Sequence, residues 1–557
     1  MTAVDFGLSL EDQCEAIWRV TREHEQRELN LRKVPPVARL WDGEMRLQHL
    51  VQAEYAANLD WIDGDTGPAQ IKHPFDHPCG QWLFDEWGRM QRGEKRNVNL
   101  TVDHGGNRWG GLLDNVELEL DENGDQVITA TFQHDYERLK WYTVWSNPWF
   151  DEWIQFPGVF ILPGPIPWVL SVMLDLQCQR EHRAFMAMPS DPMAPANRVG
   201  LNQQAWSVVV KPISFTESMA SGALWGIGTS RFKNFHEIAK VMMQDGEITP
   251  VVRRYLAGDP LPWPGANVRH GCVVVSFEDR SGRWTGTSNG GSKWDGLRRT
   301  IDQFSSDFID STAQVISDTS IPVSYFEPGS KRTQKELPFA VWRDGEETGL
   351  ESYKFRKTPA KGVQVVTGGQ SMPGVNEAIS AAIQMAGDLT AMIPGVPPIG
   401  GALDEIFKPL YTNVLFAWMV AKSNARANNS GWTRYFEYFQ EGGGKAYTIS
   451  SLMVLRAGFW ATRSFDSHEF SVVDGAPFII GETGHVWLGD RAGYTIRGDQ
   501  SGRIYMDRVS KVSLAWSRDA PVQYALTIGD SRALEDPGQK VWERIEAYAS
   551  AFQQLGV

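Results

Sequence analysis

Side chains that could bind a metal are concentrated in the segment His73–Cys79, which reads HPFDHPC. Two histidines four residues apart can hold a metal when a helix aims both rings to the same side. The two prolines of this segment oppose a helix, because proline lacks the backbone N–H that a helix needs. We therefore interpret the segment as a loop between a strand and a helix, whose polar side chains cap that helix.

Two further patterns match functional motifs but lack the context that such motifs need. Residues 286–290, GTSNG, match the nucleophile elbow around Ser288, but the residues before them alternate like a hairpin strand. The acidic turn Asp121–Asp125 has its glycine at the wrong position for a calcium loop, and Phe132 stands where a bidentate Glu is needed. We interpret the first as a glycine-rich loop and the second as a turn.

The motifs of the common enzyme classes are also missing from the sequence. It contains no HExxH, no Walker loop and no GxGxxG after a strand. We therefore predict that the protein is not an enzyme and has no catalytic residues, no cofactor and no metal. A carboxylate pair for cell-wall hydrolysis stays open, because 68 residues are acidic and their separation in the fold cannot be read from the sequence.

Composition narrows the function classes further. The 557 residues suffice for several domains. The net charge is −14 and the basic residues form no run, so the electrostatic footprint of a nucleic-acid binder is absent. The first residues are acidic before any apolar run, which argues against a secretory signal. The cysteines lie far apart without a CxxC pair, and we expect reduced core thiols at Cys14, Cys79, Cys178 and Cys272.

Tryptophan is unusually frequent, with 23 residues spread along the chain. Its one dense group has four-residue spacing and consists of Trp141, Trp145, Trp149 and Trp153. Such spacing predicts a helical stripe, which Pro148 would divide into two short helices with Asn147 capping the second. We interpret this group as packing residues.

Hydrophobic periodicity predicts strands in two separate stretches and helices between and around them. Apolar residues alternate with polar ones at Val98–Val102, Val116–Leu120 and Val127–Phe132, and again at Val512–Trp516 and Tyr524–Ile528. Cys272–Phe277 also reads as a strand of a hairpin. Helices are predicted over residues 9–31, 78–90, 168–181, 234–244, 294–304, 403–418 and 536–552.

The segment Asn376–Leu403 is small, apolar and interrupted by glycine and proline. Its second half, Leu389–Leu403, has no charge, but its three prolines oppose a membrane-spanning helix of roughly 20 unbroken apolar residues. A buried loop before a core helix is one interpretation, and a plug, pore lining or membrane-touching segment is the other. The residues that would face a lumen or a symmetry axis are Ile379, Ile383, Leu389, Met392, Ile393, Val396, Ile399 and Leu403.

Peptides along nearly the whole chain resemble the minor tail proteins of long-tailed siphophages that infect mycobacteria and related actinobacteria. Within that group the chain is similar to the tail-tip hub, the baseplate component between the distal tail ring and the host-facing proteins. The peptides that carry the resemblance are RVTREHEQRELNLRKVPP, TGPAQIKHPFDHP, ITATFQHDYERLKWYTVWSNP, FIDSTAQVISDTS, VQVVTGGQSMPGVNEAISAAIQ, SSLMVLRAGFWATRSF and VQYALTIGD.

The resemblance implies a homotrimer in which two small β-barrels per subunit continue the tail tube as six similar modules. The expected fold is α+β and predominantly β, multidomain, with small antiparallel β-barrels and interspersed helices. The expected domains are a helical arm (1–36), a first β-barrel (37–145), a mixed aromatic-rich domain (146–244), an α+β domain (245–335), a mixed domain with the apolar segment (336–449), a second β-barrel (450–530) and a terminal helix (531–557).

The expected function is that of a structural virion protein of the tail tip, synthesised in the host cytoplasm, that closes the tube and opens for tape-measure protein and DNA release. Expected partners are the distal tail protein ring, the carboxyl terminus of the tape-measure protein and other minor tail proteins, with host-envelope contact and without sequence-specific nucleic acid. Two alternatives stay open. One is an adhesin whose tryptophans bind envelope glycans, and the other is a cell-wall hydrolase, which the helix predicted after Asp530 in place of a lytic domain disfavours.

Overall fold

The chain divides into two compact units, each built from several pieces of sequence. Unit 1 comprises residues 1–299, 312–355 and 468–531, and unit 2 comprises residues 300–311, 356–467 and 532–557. The computed structural model describes residues 7, 9–120, 124–156, 158–182, 191–220, 223–280, 313–314, 340–345, 349–368, 380–381, 384, 418–440, 455, 458–459, 462, 465–473, 478–499 and 504–529.

The helices of the described residues are short, apart from the first and the fourth. They are α1 (Leu10–Lys33), α2 (Pro78–Phe84), α3 (Glu86–Gln91), α4 (Ile166–Glu181), α5 (Phe215–Ala220), α6 (Phe235–Gly246) and α7 (Asn424–Asn429), with 3-10 turns at Asp135–Trp141 and Pro195–Asn197.

Strands make up most of the regular structure of the described residues. The first half of the chain contains β1 (Val37–Asp42), β2 (Leu47–Leu50), β3 (Ala56–Ile62), β4 (Pro68–Pro74), β5 (Val98–His104), β6 (Asn107–Leu120), β7 (Gln126–His134), β8 (Thr143–Val144), β9 (Phe160–Pro165), β10 (Asn202–Gln203), β11 (Val208–Val210), β12 (Trp225–Ser230), β13 (Lys233–Asn234), β14 (Ile248–Arg254), β15 (Asn267–Val268) and β16 (Val273–Asp279). The second half contains β17 (Ala313–Gln314), β18 (Ala340–Trp342), β19 (Leu350–Thr358), β20 (Gln364–Gly368), β21 (Trp418–Lys422), β22 (Glu437–Phe439), β23 (Phe465–Val473), β24 (Arg491–Tyr494), β25 (Ile504–Ser517) and β26 (Gln523–Ile528).

The main sheet of unit 1 unites strands from both ends of the sequence. Its strand order is β19-β23-β26-β25-β3-β4-β7-β6-β5-β1-β2. The junction is the antiparallel pairing of β25 with β3, which runs from Lys511 opposite Ile62 to Ser517 opposite Ala56. Alternating apolar side chains from both stretches then bury one another in a common core that includes Leu59, Leu514 and Leu526. The predicted β-rich α+β class is confirmed.

A second core of unit 1 surrounds α4, which is buried over most of its length. Its apolar residues pack against the strands β9, β11, β12 and β16 and against α6. A polar group at this depth needs a partner, and Asp175 of α4 pairs with Arg198, whose guanidinium donates to the carboxylate at 2.5 and 2.9 Å. The predicted helices at 168–181 and 234–244 are confirmed as α4 and α6, and Asn234 caps the latter through a bond from the His236 N–H.

Unit 2 contains a small sheet of order β21-β20-β22. One face of this sheet packs on a compact core that comprises Val365, Met419 and Leu455. Beside it, α7 begins at the cap residue Ser423 and buries Arg426, whose guanidinium donates to the Phe459 carbonyl at 2.7 Å. Among the described residues, this sheet is therefore packed on one face.

Several sequence-based expectations need correction. The helix predicted over 78–90 is two helices, because the Asp85 carboxylate accepts from the Gly88 N–H and starts α3. Trp418, placed at the end of a helix, begins strand β21. Cys14 is exposed on α1 and is not a core thiol, whereas Cys79, Cys178 and Cys272 are buried.

Other expectations are confirmed or lie outside the described residues. The predicted arm helix corresponds to α1, and the strand predicted at Cys272–Phe277 to β16. The predicted helices at 294–304 and 536–552 lie outside the described part of the chain, as does most of the one at 403–418. Among the described residues, no helix is long and apolar enough to cross a bilayer. The domain boundaries remain a prediction.

Candidate assembly surfaces

The residues expected to face a lumen or a symmetry axis lie outside the described part of the chain. They are Ile379, Ile383, Leu389, Met392, Ile393, Val396, Ile399 and Leu403. The nucleophile-elbow pattern around Ser288 also lies there. The described residues instead offer two features suited to an assembled particle, a polar seam that joins the parts of unit 1 and an exposed aromatic loop.

The polar seam is built on β14 and on Glu247, which precedes it. The Glu247 carboxylate accepts two bonds of 2.6 Å from Arg491, a residue of the carboxyl-terminal stretch. The Thr249 hydroxyl accepts from Arg508 at 2.7 Å. Glu247 and Thr249 therefore bind the start of β14 to the strands β24 and β25.

The same strand also reaches further parts of unit 1. Arg253 donates to the Glu482 carboxylate at 2.9 Å, and the neighbouring Arg254 turns to the opposite face of β14. There its Nε donates to Asp135 at 2.8 Å, in the 3-10 turn after β7. Since β14 contacts residues from both predicted barrel stretches, the seam fixes them in one unit.

Asp135 and Arg254 are both almost fully buried. Burial disfavours the Asp135 carboxylate, but the charges of Arg254 and Arg138 outweigh this effect and lower the pKa of Asp135. The pair is ionised at neutral pH and satisfied by hydrogen bonds. Removing one partner would leave an uncompensated charge in the core, which is costly.

Glu247 adopts a left-handed backbone conformation, with φ at 54°, as it ends helix α6. Glycine is the usual residue at such a position, because a side chain there meets the backbone. A glutamate at this position is explained by its ion pair with Arg491, because the left-handed turn directs the Glu247 carboxylate towards strand β24. A further ionic link, Arg108 with Asp103 and Asp259, ties β6 to the segment after β14.

The aromatic loop, residues 146–158, connects β8 to β9 and is held by its own polar side chains. Asn147 donates from Nδ2 to the Phe156 carbonyl at 2.8 Å and accepts the Trp149 N–H at 3.0 Å. Gln155 donates to the carbonyls of Phe150 and Asp151 and accepts the Asn147 N–H at 2.8 Å. These bonds tie the two ends of the loop together and satisfy much of its backbone.

The apolar side chains of the aromatic loop point outward. Trp153 is 77% exposed and Phe156 is 75% exposed, with Phe150 and Ile154 nearly half exposed. Nearby in sequence, Trp141 is 82% exposed. Large aromatic side chains on a pre-organised loop lose little conformational entropy on binding and are typical anchors of protein interfaces.

This arrangement corrects the interpretation of the tryptophan group. No helical stripe forms, since Trp141 ends a 3-10 turn and the residues up to 158 are mostly irregular. Trp145 does pack, with its ring 4.4 Å from the Arg180 guanidinium and 5.2 Å from the Phe232 ring. The interpretation as packing residues is wrong for Trp141 and Trp153, whose side chains are largely exposed in the single chain.

The His73–Cys79 segment has the structural role that its prolines indicate. It links β4 to α2, and His77 caps that helix by accepting the Cys79 N–H at 3.2 Å. Burial raises the pKa of the Cys79 thiol to about 12, so this sulfur stays protonated. Within the described ranges no three His, Cys, Asp or Glu side chains are placed to hold a metal.

Sequence reasoning found neither the polar seam nor the exposure of the aromatic loop. The ion pairs of the seam join residues that are far apart in sequence, such as Asp135 and Arg254, and no local pattern marks them. The aromatic loop did carry a signal. Asn147 and Gln155 are eight residues apart within a run that lacks basic residues and is rich in Trp and Phe, a combination typical of a side-chain-bonded surface loop.

The chain has close sequence relatives among phage tail proteins. Minor tail protein Gp28 of Mycobacterium phage L5 is 30% identical over 601 residues, covering 99% of this chain and 100% of the relative. Minor tail protein Gp28 of Mycobacterium phage D29 is 29% identical with the same coverage. The similarity therefore extends over the whole length of both chains.

A solved structure of a tail protein is also similar. The 43 kDa tail protein of prophage MuSo2 from Shewanella oneidensis matches with a TM-score of 0.39 and 10% identity, covering 89% of this chain and 100% of that one. A likeness of this degree does not establish a shared fold. The family model described as Siphovirus ReqiPepy6 Gp37-like protein matches residues 37–530. The chain therefore belongs to this siphovirus tail protein family, as a phage minor tail protein with a structural role in the virion.

Proposed function

We propose that this minor tail protein is the trimeric hub of the tail tip, which continues and closes the tail tube and opens for release of the tape-measure protein and DNA. The observation that carries the proposal is the pairing of β25 with β3, which joins two β-rich stretches edge to edge in one sheet. Three copies of such a double module would supply six similar modules around an axis.

The polar seam supports this proposal physically. A subunit that forms part of a tube wall has to keep its two modules in a fixed relation while the tail transmits force. Buried ion pairs such as Asp135 with Arg254, and Glu247 with Arg491, allow few alternative arrangements, because each displaced charge would lose its partner. The net charge of −14 also suits a lumen through which DNA passes without binding.

The apolar segment is proposed to line the axis of the trimer. Ile379, Ile383, Leu389, Met392, Ile393, Val396, Ile399 and Leu403 from three copies could bury one another there and exclude water. The proposed neighbours are the distal tail protein ring, the carboxyl terminus of the tape-measure protein and other minor tail proteins.

The mass of the purified protein, alone and with its distal tail neighbour, tests the trimer by light scattering. A threefold mass, alone or on the neighbour's ring, supports the hub. A protein that stays monomeric and does not bind the ring contradicts the hub proposal. Replacing Ile393 and Val396 with Asp tests the axis, since a water-excluding contact cannot bury six charges; wild-type assembly and infectivity of that variant would refute this part.

The aromatic loop favours a second candidate function, contact of the tail tip with the host envelope. Clustered exposed aromatic rings suit stacking on sugar faces, and Asp151 and Glu152 could accept hydroxyl hydrogen bonds. Particles that carry Trp153→Ser test it through their adsorption to purified envelope. Trp87→Ser is the matched control, because Trp87 is 73% exposed on α3. Equal adsorption of both variants would exclude this role.

A further inference from the structure

The sheet of unit 2 has one covered face and one open face. Strand register places Trp418, Val420 and Lys422 of β21 on the same side as Gly368, Val366 and Gln364 of β20. Phe439 and Glu437 of β22 lie on that side too. The exposed fractions are 48% for Trp418, 53% for Val420 and 48% for Phe439. We call this side the open face.

The open face is polarised along the strands. At one end, Gln364 donates to the Glu437 carboxylate at 3.1 Å, and Lys422 lies beside them. This end of the open face is therefore polar. At the other end, the rings of Trp418 and Phe439 meet edge to face at 5.8 Å, with Gly368 opposite Trp418. The apolar half of the open face therefore lies where β20 ends and β21 begins.

The chain leaves and re-enters the sheet at this same end. Gly368 and Trp418 are paired across the two strands, and residues 369–417 connect them. That connection contains the apolar segment, residues 379–403, whose second half has no charged side chain. Both ends of this connection are thus tethered next to the apolar half of the open face.

The tether decides which occupant is favoured. The stretch from Gly368 to Ile393 spans up to roughly 80 Å when extended, so the segment reaches every point of a three-stranded sheet. A tethered ligand binds as if present at roughly millimolar concentration, which exceeds the concentration of any free partner during synthesis. Burial of apolar surface on the segment and on the open face supplies the driving force for docking.

We propose that the open face of the β21-β20-β22 sheet is a docking surface for the apolar segment of the same chain. Trp418, Val420, Val366 and Phe439 receive the apolar side chains, and the Gln364 and Glu437 end forms the polar rim. We assign this docked state to the subunit before assembly, when the segment is covered by its own chain and does not yet line the trimer axis. The docking goes beyond the proposed hub function, because it requires no trimer.

Limited proteolysis of the full chain with chymotrypsin tests the docking. Trp418→Ser removes the largest side chain from the apolar half of the open face, and we expect the initial rate of cleavage within residues 389–403 to rise about tenfold, since cleavage follows the undocked population. Trp432→Ser is the matched control, because Trp432 is 89% exposed and lies outside the three strands. The control should leave the rate within about twofold of wild type. Equal rates in the two variants would overturn the docking.

A disulfide trap identifies the occupant independently of stability. Val420→Cys and Ile393→Cys are combined with Cys14→Ser, which removes the exposed native thiol. Oxidation of mixed isotope-labelled and unlabelled chains should link residues 393 and 420 within one chain. Links between labelled and unlabelled chains would assign the open face to the apolar segment of a second copy and would overturn intrachain docking. Equal linkage of residue 393 to a Trp432→Cys control would overturn it as well.

Discussion

The sheets of the two units differ in how many of their faces are covered. In unit 1, β5 is buried on both faces, and its polar residues Asn99 and Thr101 find partners inside: Asn99 donates to the Asp42 carbonyl at 3.1 Å, and Thr101 accepts from Trp41 at 2.8 Å. In unit 2, β21 alternates between exposed and covered residues. A doubly covered strand is committed to one structure, whereas a singly covered strand keeps a surface for a partner.

The largest expected effect comes from the polar seam of unit 1. Asp135→Ala leaves the Arg254 guanidinium buried without its carboxylate, which should cost about 3 to 5 kcal/mol of unfolding free energy. Scanning calorimetry measures the loss. Asp151→Ala, in the aromatic loop, is the control and should stay within about 0.5 kcal/mol.

A double variant separates charge burial from packing at the same place. Asp135→Leu with Arg254→Met removes both charges, so much of the lost stability should return. If Asp135→Ala alone is as stable as wild type, the seam does not hold unit 1 together.

The second effect is a dependence of the stability of unit 1 on pH. Burial lowers the pKa of His134 from 6.5 to about 4, against the opposing charge of Asp135. A depressed folded-state pKa contributes stability that is complete above pH 6.5 and is lost as the pH falls towards 4. At about 1.4 kcal/mol per pKa unit, the loss is roughly 3 kcal/mol.

Chemical denaturation at a series of pH values checks this dependence. His134 accepts the Tyr136 N–H through Nδ1, and His134→Asn keeps an acceptor at this cap while removing the titrating ring. The variant should show a flatter stability profile between pH 6.5 and pH 4. A profile that matches wild type would assign the acid sensitivity to other groups.

The third effect compares one substitution in the two sheets. Val512→Ala in β25 removes two buried methyl groups and should cost about 2 kcal/mol, because Val512 is fully buried in the common core. Val420→Ala in β21 should cost less, roughly 1 kcal/mol or below, because Val420 is 53% exposed in its sheet and gains further cover only from the docked segment. Calorimetry of both variants measures the two losses of unfolding free energy, which can then be compared directly.

The result at Val420 can also sharpen the comparison. A cost at residue 420 close to that at residue 512 means that the open face is covered in the isolated chain. In that case the two sheets differ less than their exposed fractions indicate.

The smallest effect is expected for the aromatic loop. Trp153→Ser should leave the unfolding free energy within about 0.5 kcal/mol, because the side chain is largely solvated already. Asn147→Ala should instead cost about 1 kcal/mol, since three hydrogen bonds of the loop involve this residue, two of them through the side chain. A larger loss for Trp153→Ser than for Asn147→Ala would show that Trp153 packs in the native chain.

The elements that sequence reasoning predicted are those with a strong local pattern. The alternation in Val512–Trp516 marks β25, and the cap residue Asn234 marks the start of α6. Both signals lie within a few residues, where periodicity and capping act. The class of the fold followed from such segments.

The pairing of these elements cannot be predicted from local sequence patterns. Ser513 donates to Asp60 at 2.7 Å across 453 residues of sequence, and nothing near either residue identifies the other. The four-residue spacing of the tryptophans predicts a helix in the aromatic loop, but the side chains of Asn147 and Gln155 form hydrogen bonds with the backbone that compete with a helix. The pairing of the strands therefore depends on tertiary contacts, and the conformation of the aromatic loop depends on hydrogen bonds from its side chains to the backbone. Periodicity predicts neither.

The pairing of β25 with β3 also bears on the synthesis of the protein. Strand β3 leaves the ribosome early, but its partner strand follows only after the whole insertion that forms most of unit 2. Until then the free edge of β3 can pair with other chains. A product truncated before residue 504 would keep that edge open and should aggregate. The fold thereby makes closure of the sheet depend on late synthesis, since only a chain translated through β25 can pair the edge of β3 and enter a particle.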